Sequence, residues 1–421
     1  MSTAPVRPSR AVDSSLRERA RRVIPGGMYG HLSTARLTDD YPQFMARGEG
    51  ARVWDVDGRE FIDFMCTFGP ILLGHAHPEV DAVAASTSGR GDVLNNPGPE
   101  MVELAEVLVD EVEHADWAMF AKNGSDVNNL AVVVARAHTG RRKVLMARGS
   151  YHGIGGWALP PESPGTTVED HANTVFFGYN DLDSLEAAVI EAGEGEVAAV
   201  VCTPHRHEVF IDQELADPEF ARGVREICDR IGAMLVIDDV RCGPRIDLRG
   251  GWAVHEVAPD LSAWSKSLAN GYPLAALMGA GPLAEAAAKV TATGSFWYSA
   301  APMAAALTTI RLLKETEGIE RMRAAGQRLQ DELRAQAERH GFAVSVTGPP
   351  QMPLLLFADD PQYAKSLAWA GACAHHGVYL HPVHNWFMSA AHDEATIDEA
   401  LERTDAAFAD LGDRLGDGSR G

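Results

Sequence analysis

Basic residues are in short supply: Lys and Arg number 37 against 59 Asp and Glu, a formal net charge of −22. Nucleic acids and anionic membranes are recognised by basic patches, so this balance argues against both as partners. Cysteine is sparse as well. Cys66, Cys202, Cys228, Cys242 and Cys373 are scattered, odd in number and never spaced as C-x-x-C. Neither a disulfide framework nor a zinc site follows from such a pattern, and no metal is expected. The thiols should be small buried hydrophobes in a reducing compartment. No uninterrupted apolar run approaches the length of a membrane-spanning helix. Residues 1–10 are rich in Pro, Ser and Arg and lack the apolar centre of a signal peptide. Internal repeats and low-complexity tracts are missing too. Together these absences predict a cytoplasmic protein.

What is present suits a globular protein. A chain of 421 residues is too long for one small core and fits a large domain plus a smaller one. Residues 14–23 read as a short charged helix, stopped by Pro25-Gly26-Gly27. Residues 51–55 and 60–64 flank Asp57-Gly58, a hairpin signal. Helical stretches at 100–113 and 125–138 then alternate with short apolar runs at 144–147, 197–202, 234–237 and 274–279. Strands alternating with helices imply an α/β fold with a mostly parallel sheet. Beyond residue 313 a long charged helix at 315–340 and one strand at 353–357 read as a small α+β domain. The expected division is an N-terminal segment over 1–60 associated with the small domain, a large α/β domain over 61–312, and a C-terminal small domain over 313–421. The Gly/Asp/Arg-rich stretch 412–421 is expected to fray.

Four short motifs carry chemistry, and each has a bland reading. Asn123-Gly124-Ser125-Asp126 precedes a helix, where exposed N–H groups form a phosphate cradle; a plain N-cap is the simpler explanation. Asp238-Asp239-Val240 follows an apolar run, where an acid could keep a ring nitrogen protonated; a strand-ending turn would look the same. Lys266, between Ser265 and Ser267, is the one lysine in an Ala/Leu/Ser/Gly-rich stretch. Desolvation there would lower its pKa and make it an amine nucleophile, whereas most isolated lysines are simply exposed. Tyr151-His152-Gly153 could stack an aromatic on a planar cofactor, although a lone aromatic more often packs.

The order and spacing of the four resemble the class III aminotransferases, and within them the glutamate-1-semialdehyde aminomutase-like branch. The likeness extends through "IPGG" (24–27), "VWDVDGREFIDF" (53–64), "GPILLGHAHPEV" (69–80), "HTGRRK", "YHG" and the "GVYLHP…SAAH" tail (377–392). It implies fold type I of the pyridoxal 5'-phosphate (PLP) enzymes and a homodimer with shared active sites. By the same resemblance, Lys266 binds the cofactor covalently and moves protons, while Asp238 pairs with the pyridine nitrogen. Val240 and Tyr151 would flank the ring, His152 would lie beside it, and Gly124 and Ser125 would take the phosphate. The family's Gly-Thr-Phe loop, supplied by the neighbouring subunit, falls on Gly294-Ser295-Phe296. The implied reaction moves an amino group between an amine or amino acid and an oxo compound. An aminomutase, a racemase or epimerase, and a non-catalytic PLP-binding protein are the alternatives.

Departures from the family pattern concern the substrate. Thr203-Pro204 replaces a Glu-Pro pair, and Trp297-Tyr298-Ser299-Ala300 replaces a Ser-Gly-Asn-Pro stretch. A serine and a carboxylate-binding arginine of the aminomutases become Gly30 and Ser33. Candidates for recognising substrate instead are His31, the run His205-Arg206-His207, Trp297, and His384-Asn385-Trp386. Arg245 matches an arginine common after the Asp-Glu-Val motif and is read as structural.

Overall fold

The apolar runs in the middle of the chain become strands of one seven-stranded sheet in the computed structural model, which describes residues 10–416. The strands are β1 (Trp117–Ala121), β2 (Lys143–Ala147), β3 (Thr174–Phe177), β4 (Val197–Cys202), β5 (Met234–Asp238), β6 (Leu261–Trp264) and β7 (Ala275–Gly279). In space they run β1-β7-β6-β5-β4-β2-β3. Only β7 is antiparallel to its neighbours; β6, β5, β4, β2 and β3 pair in parallel, and β1 shares their direction. The C-terminal ends of six strands therefore lie along one edge.

The runs are apolar throughout because both faces are covered. Ala199, Val201 and Val236 meet helix α1 (Gly124–Thr139) on one side. Their alternates Val200, Cys202, Leu235 and Ile237 meet helix α2 (Pro218–Ile231) on the other. Side chains that alternate along a strand must point to opposite layers, so no strand position here can be polar without facing a helix. All five cysteines are buried.

The helix expected over 14–23 spans Ala11–Val23. The Asp57-Gly58 turn joins Arg52–Asp55 to Glu60–Asp63 as an antiparallel pair, with Gly58 at φ 85°. Val378–Tyr379, from late in the chain, adds to that sheet in parallel beside Glu60–Asp63. The helix expected at 315–340 is α4 (Gly318–Arg339); α3 (Ala300–Glu315) precedes it, and the two are separated at Glu317, whose φ is 50°. Thr316 Oγ1 turns back to donate to Leu312 O, and a Cβ on Gly318 would lie 2.8 Å from Leu313, so the chain bends where only glycine fits. The strand Leu354–Phe357 is not alone, since Val344–Thr347 pairs with it. Finally, the last helix runs Glu394–Gly416 instead of fraying from 412; residues 417–421, like 1–9, lie outside the described residues.

Candidate active site

The edge where the strands end collects the predicted groups. After β1, helix α1 opens with a capping box: Asp126 Oδ2 accepts from Asn123 N at 3.0 Å and from Lys122 N at 3.2 Å. The N–H groups of Gly124 and Ser125 belong to the first turn and have no intrahelical acceptor, so they face outward as an anion cradle. The capping reading holds, and it does not exclude the cradle, because the cap uses Asn123 and Asp126 and leaves the amides of Gly124 and Ser125 without an acceptor among the described residues. Close packing explains the glycines. A Cβ on Gly124 would lie 2.7 Å from a Val240 methyl, and one on Gly153 would lie 2.2 Å from Ser125 Oγ.

Asp238 ends β5 and is buried. Its Oδ2 accepts from Asn128 Nδ2 and lies against His152 Nδ1, each at 2.7 Å, while Oδ1 accepts from Val240 N at 3.0 Å. His152 in turn stacks on Trp157 at 6.0 Å, and Trp157 Nε1 donates to Asn129 Oδ1. Both ends of the carboxylate are thus held by hydrogen bonds. His152, expected beside the cofactor, reaches Asp238 first.

Lys266 follows the neighbouring strand β6, in which Ala263 pairs with Asp238. Burial, then the nearby Arg241 cation, lowers its pKa to about 7, so near-neutral solution already yields the free amine. Its stem runs past Gly69, where a Cβ would come within 3.4 Å of Lys266 Cδ. That glycine closes a left-handed turn in which Cys66, Thr67 and Phe68 have φ of 44°, 58° and 61°. Such backbone costs on the order of 1 kcal/mol or more per residue and needs outside support. Asp63 Oδ1 supplies it by accepting from Met65 N at 2.8 Å and Cys66 N at 3.2 Å. Arg245 supplies the rest, donating to the carbonyls of Gly69, Ile71 and Met388. Arg245 is completely buried and supports this loop, as its structural reading expects.

The turn aims Phe68 at His31 (4.7 Å) and His384 (5.2 Å). His31, His207 and His384 all have lowered pKa values, first through burial and then through the cations of Lys266 and Arg241. Three imidazoles kept neutral in this way therefore stand within the electrostatic reach of Lys266. Two expected substrate groups are otherwise engaged. Arg206 pairs with Glu208 at 3.1 Å and Glu214 at 3.3 Å, and buried His205 meets Gln213 Oε1 at 3.0 Å. Trp297 is half-buried against the α1 layer and packs on Gly294, so it does not line the space around Lys266 of its own chain. Tyr151 is 57% exposed, and Ser295 is exposed with no hydrogen bond to its own cradle among the described residues. Two residues went unforeseen: Asn128, on the second turn of α1, and Arg241, directly after Val240.

Residues 33–408 match the family described as Aminotransferase class-III. The chain is a class III aminotransferase. An aminopentol aminotransferase of Sphingopyxis macrogoltabida is 50% identical over 393 residues, 93% of each chain. A glutamate-1-semialdehyde 2,1-aminomutase of Chloroflexus aurantiacus is 33% identical over 432 residues, covering 93% of this chain and 95% of that one. The FumI protein of Sphingopyxis sp. MTA144, solved in its PLP internal aldimine form, superposes with a TM-score of 0.94 at 48% identity, covering 96% of this chain and 97% of that one. The aminotransferase has the fold type I architecture, uses PLP, and moves an amino group between an amine and an oxo compound. No helix among the described residues is long and apolar enough to cross a membrane.

Proposed function

We propose that Lys266 carries PLP, that Asp238 holds its ring nitrogen protonated, and that the free amides of Gly124 and Ser125 take its phosphate. The observation carrying this is the placement of Asp238 and Lys266 at the ends of paired strands, one clamped as a carboxylate and the other desolvated as an amine. When bound, PLP supplies an electron sink for bond breaking at the amine-bearing carbon. Lys266 Nζ takes the proton from that carbon and returns it. Val240, already pressed against Gly124, covers one ring face, and Tyr151 approaches the other. Asn128 and His152 act as positioning residues that keep Asp238 aimed.

The donor in this proposal is an amine bearing hydroxyl groups, similar to the aminopentol named for the 50% identical relative. The neutral imidazoles of His31, His207 and His384 support it, since uncharged rings both donate to and accept from hydroxyls. Arginine does not return at Ser33, which weighs against the aminomutase reading. With a working donor and no acceptor, one equivalent of oxo product per site is expected, and turnover should resume when a 2-oxo acid is added. Sustained isomerisation of a single substrate without acceptor would overturn the assignment.

The active enzyme in this reading is a homodimer. Tyr151 and Ile154 leave apolar surface bare next to the cradle, where Ile154 N donates to Ser125 Oγ, and Phe296 is 67% exposed beside Ser295. A second copy would cover this surface and bring its own Ser295 to the phosphate. Ser295→Ala is then expected to weaken PLP retention about tenfold, the worth of one charge-assisted hydrogen bond. Equilibrium dialysis showing unchanged PLP affinity would remove Ser295 from the site.

A further inference from the structure

Three arginines lie in this region, and two of them have most of their donors engaged, each leaving only its buried Nε without a partner. Arg206 has two carboxylates, and Arg245 has three backbone carbonyls. Arg241 differs. It hydrogen-bonds to one neutral acceptor, Asn385 Oδ1, at 2.5 Å, and among the described residues no carboxylate lies within 4.0 Å of its guanidinium. The nearby acids are committed elsewhere. Asp238 is held by Asn128, His152 and its own turn, while Asp239 accepts from Gly243 N and Gly251 N. Cys242 is kept as a neutral thiol by burial.

A guanidinium offers five N–H donors, and one acceptor leaves most of them unused. Arg241 is only partly covered and stands three residues after Asp238, whose strand pairs with the one that leads to Lys266; its charge is felt by Lys266, His31, His207 and His384. Asn385, buried and tied by its own Nδ2 to Trp386 O, fixes the guanidinium from behind. An unpaired cation held this way is costly unless an anion arrives.

We infer that Arg241 is the carboxylate subsite of this enzyme: it binds the acid group of the 2-oxo acid that accepts the amino group, with Asn385 orienting it. The inference rests on the proposed placement of the reaction at Lys266. It also gives the cleft two kinds of wall, neutral imidazoles for a hydroxylated amine and one guanidinium for an oxo acid. Both substrates can then alternate in a single space. The other anionic oxygen that could reach Arg241 is the one on the cofactor ring, and the test separates the two.

The probes are holoenzyme binding of isobutyrate, an unreactive carboxylate, followed by tryptophan fluorescence, and kcat/KM for pyruvate against uncharged butanal as acceptors. Arg241→Met is expected to weaken isobutyrate about 10- to 100-fold and to lower the pyruvate-to-butanal ratio by a similar factor. Arg241→Lys should recover part of both, because the charge returns without the fork geometry. Equal losses for the two acceptors with unchanged isobutyrate binding would overturn the inference. So would unchanged isobutyrate binding together with a shift of more than about one unit in the pH at which the bound cofactor's visible band titrates, which would assign Arg241 to the ring oxygen. Misplacement of the reacting lysine would show separately, as borohydride-fixed cofactor on another residue.

Discussion

Replacing Lys266 with alanine is expected to lower transamination by about 10³-fold or more, because the covalent anchor and the proton carrier are the same amine. Borohydride treatment of the wild-type enzyme should fix the cofactor to the peptide containing Lys266, and the variant should retain no reducible cofactor. The same amine gives the reaction with PLP a defined pH profile. Burial disfavours the ammonium form, so Lys266 loses its proton near pH 7 and not near the 10.4 of an exposed lysine. Below pH 7 the folded, cofactor-free enzyme holds a protonated, unreactive lysine; above it the nucleophile is free. Its rate of covalent capture of PLP should therefore rise through neutrality and flatten by about pH 8 to 9. Capture that keeps rising toward pH 10 would show that Lys266 is not desolvated, and label on a different lysine would end the assignment.

The second large effect is expected at Asp238. Asp238→Asn keeps the size of the side chain and removes the charge that holds a ring nitrogen protonated, so a loss of about 10²- to 10⁴-fold in kcat is expected. The surroundings sharpen the effect. Asn128 Nδ2 and His152 Nδ1 both present donors to Oδ2, so an amide NH₂ turned that way meets donor against donor. Turned the other way, it faces the Val240 N–H at Oδ1. Either orientation leaves buried groups unpaired at about 1–3 kcal/mol each, and the melting temperature of the cofactor-free protein should fall as well. A variant that turns over within tenfold of the wild type would mean that Asp238 serves the fold and not the chemistry.

Much of this site was legible in the sequence because strand ends are legible. An apolar run bounded by small polar residues marks a parallel strand, and whatever follows it lies at the edge where such sheets gather ligands. Asn123-Gly124-Ser125, Asp238 and Lys266 were found that way. Residues reaching the site from within elements were not. Asn128 sits on the second turn of a helix whose other inward positions are apolar, and only the distance to Asp238 reveals its task. Arg241 was passed over, and its isolation from carboxylates is a property of three-dimensional neighbours. The histidines divided along the same line. His207 and His384 lie within the electrostatic reach of Lys266, while His205, two positions from His207, turns into the interior toward Gln213. In the fold, β3 (Thr-Val-Phe-Phe) escaped notice. The break at Glu317 was hidden in a sequence of otherwise good helix formers.

The place of β7 in the sheet has a consequence for biosynthesis. Strand β1 touches the rest of the sheet only through β7, with Ala121 paired to Ala275, and β7 in turn stands between β1 and β6. The phosphate cradle therefore begins on a strand made early whose seat is made late. A growing chain on the ribosome can build β2, β3, β4 and β5 side by side, yet β1 has nothing to dock on until residue 279 has emerged. An aborted polypeptide that reaches Lys266 but not residue 279 would hold the lysine and the Gly124-Ser125 turn yet leave β1 without its partner strand.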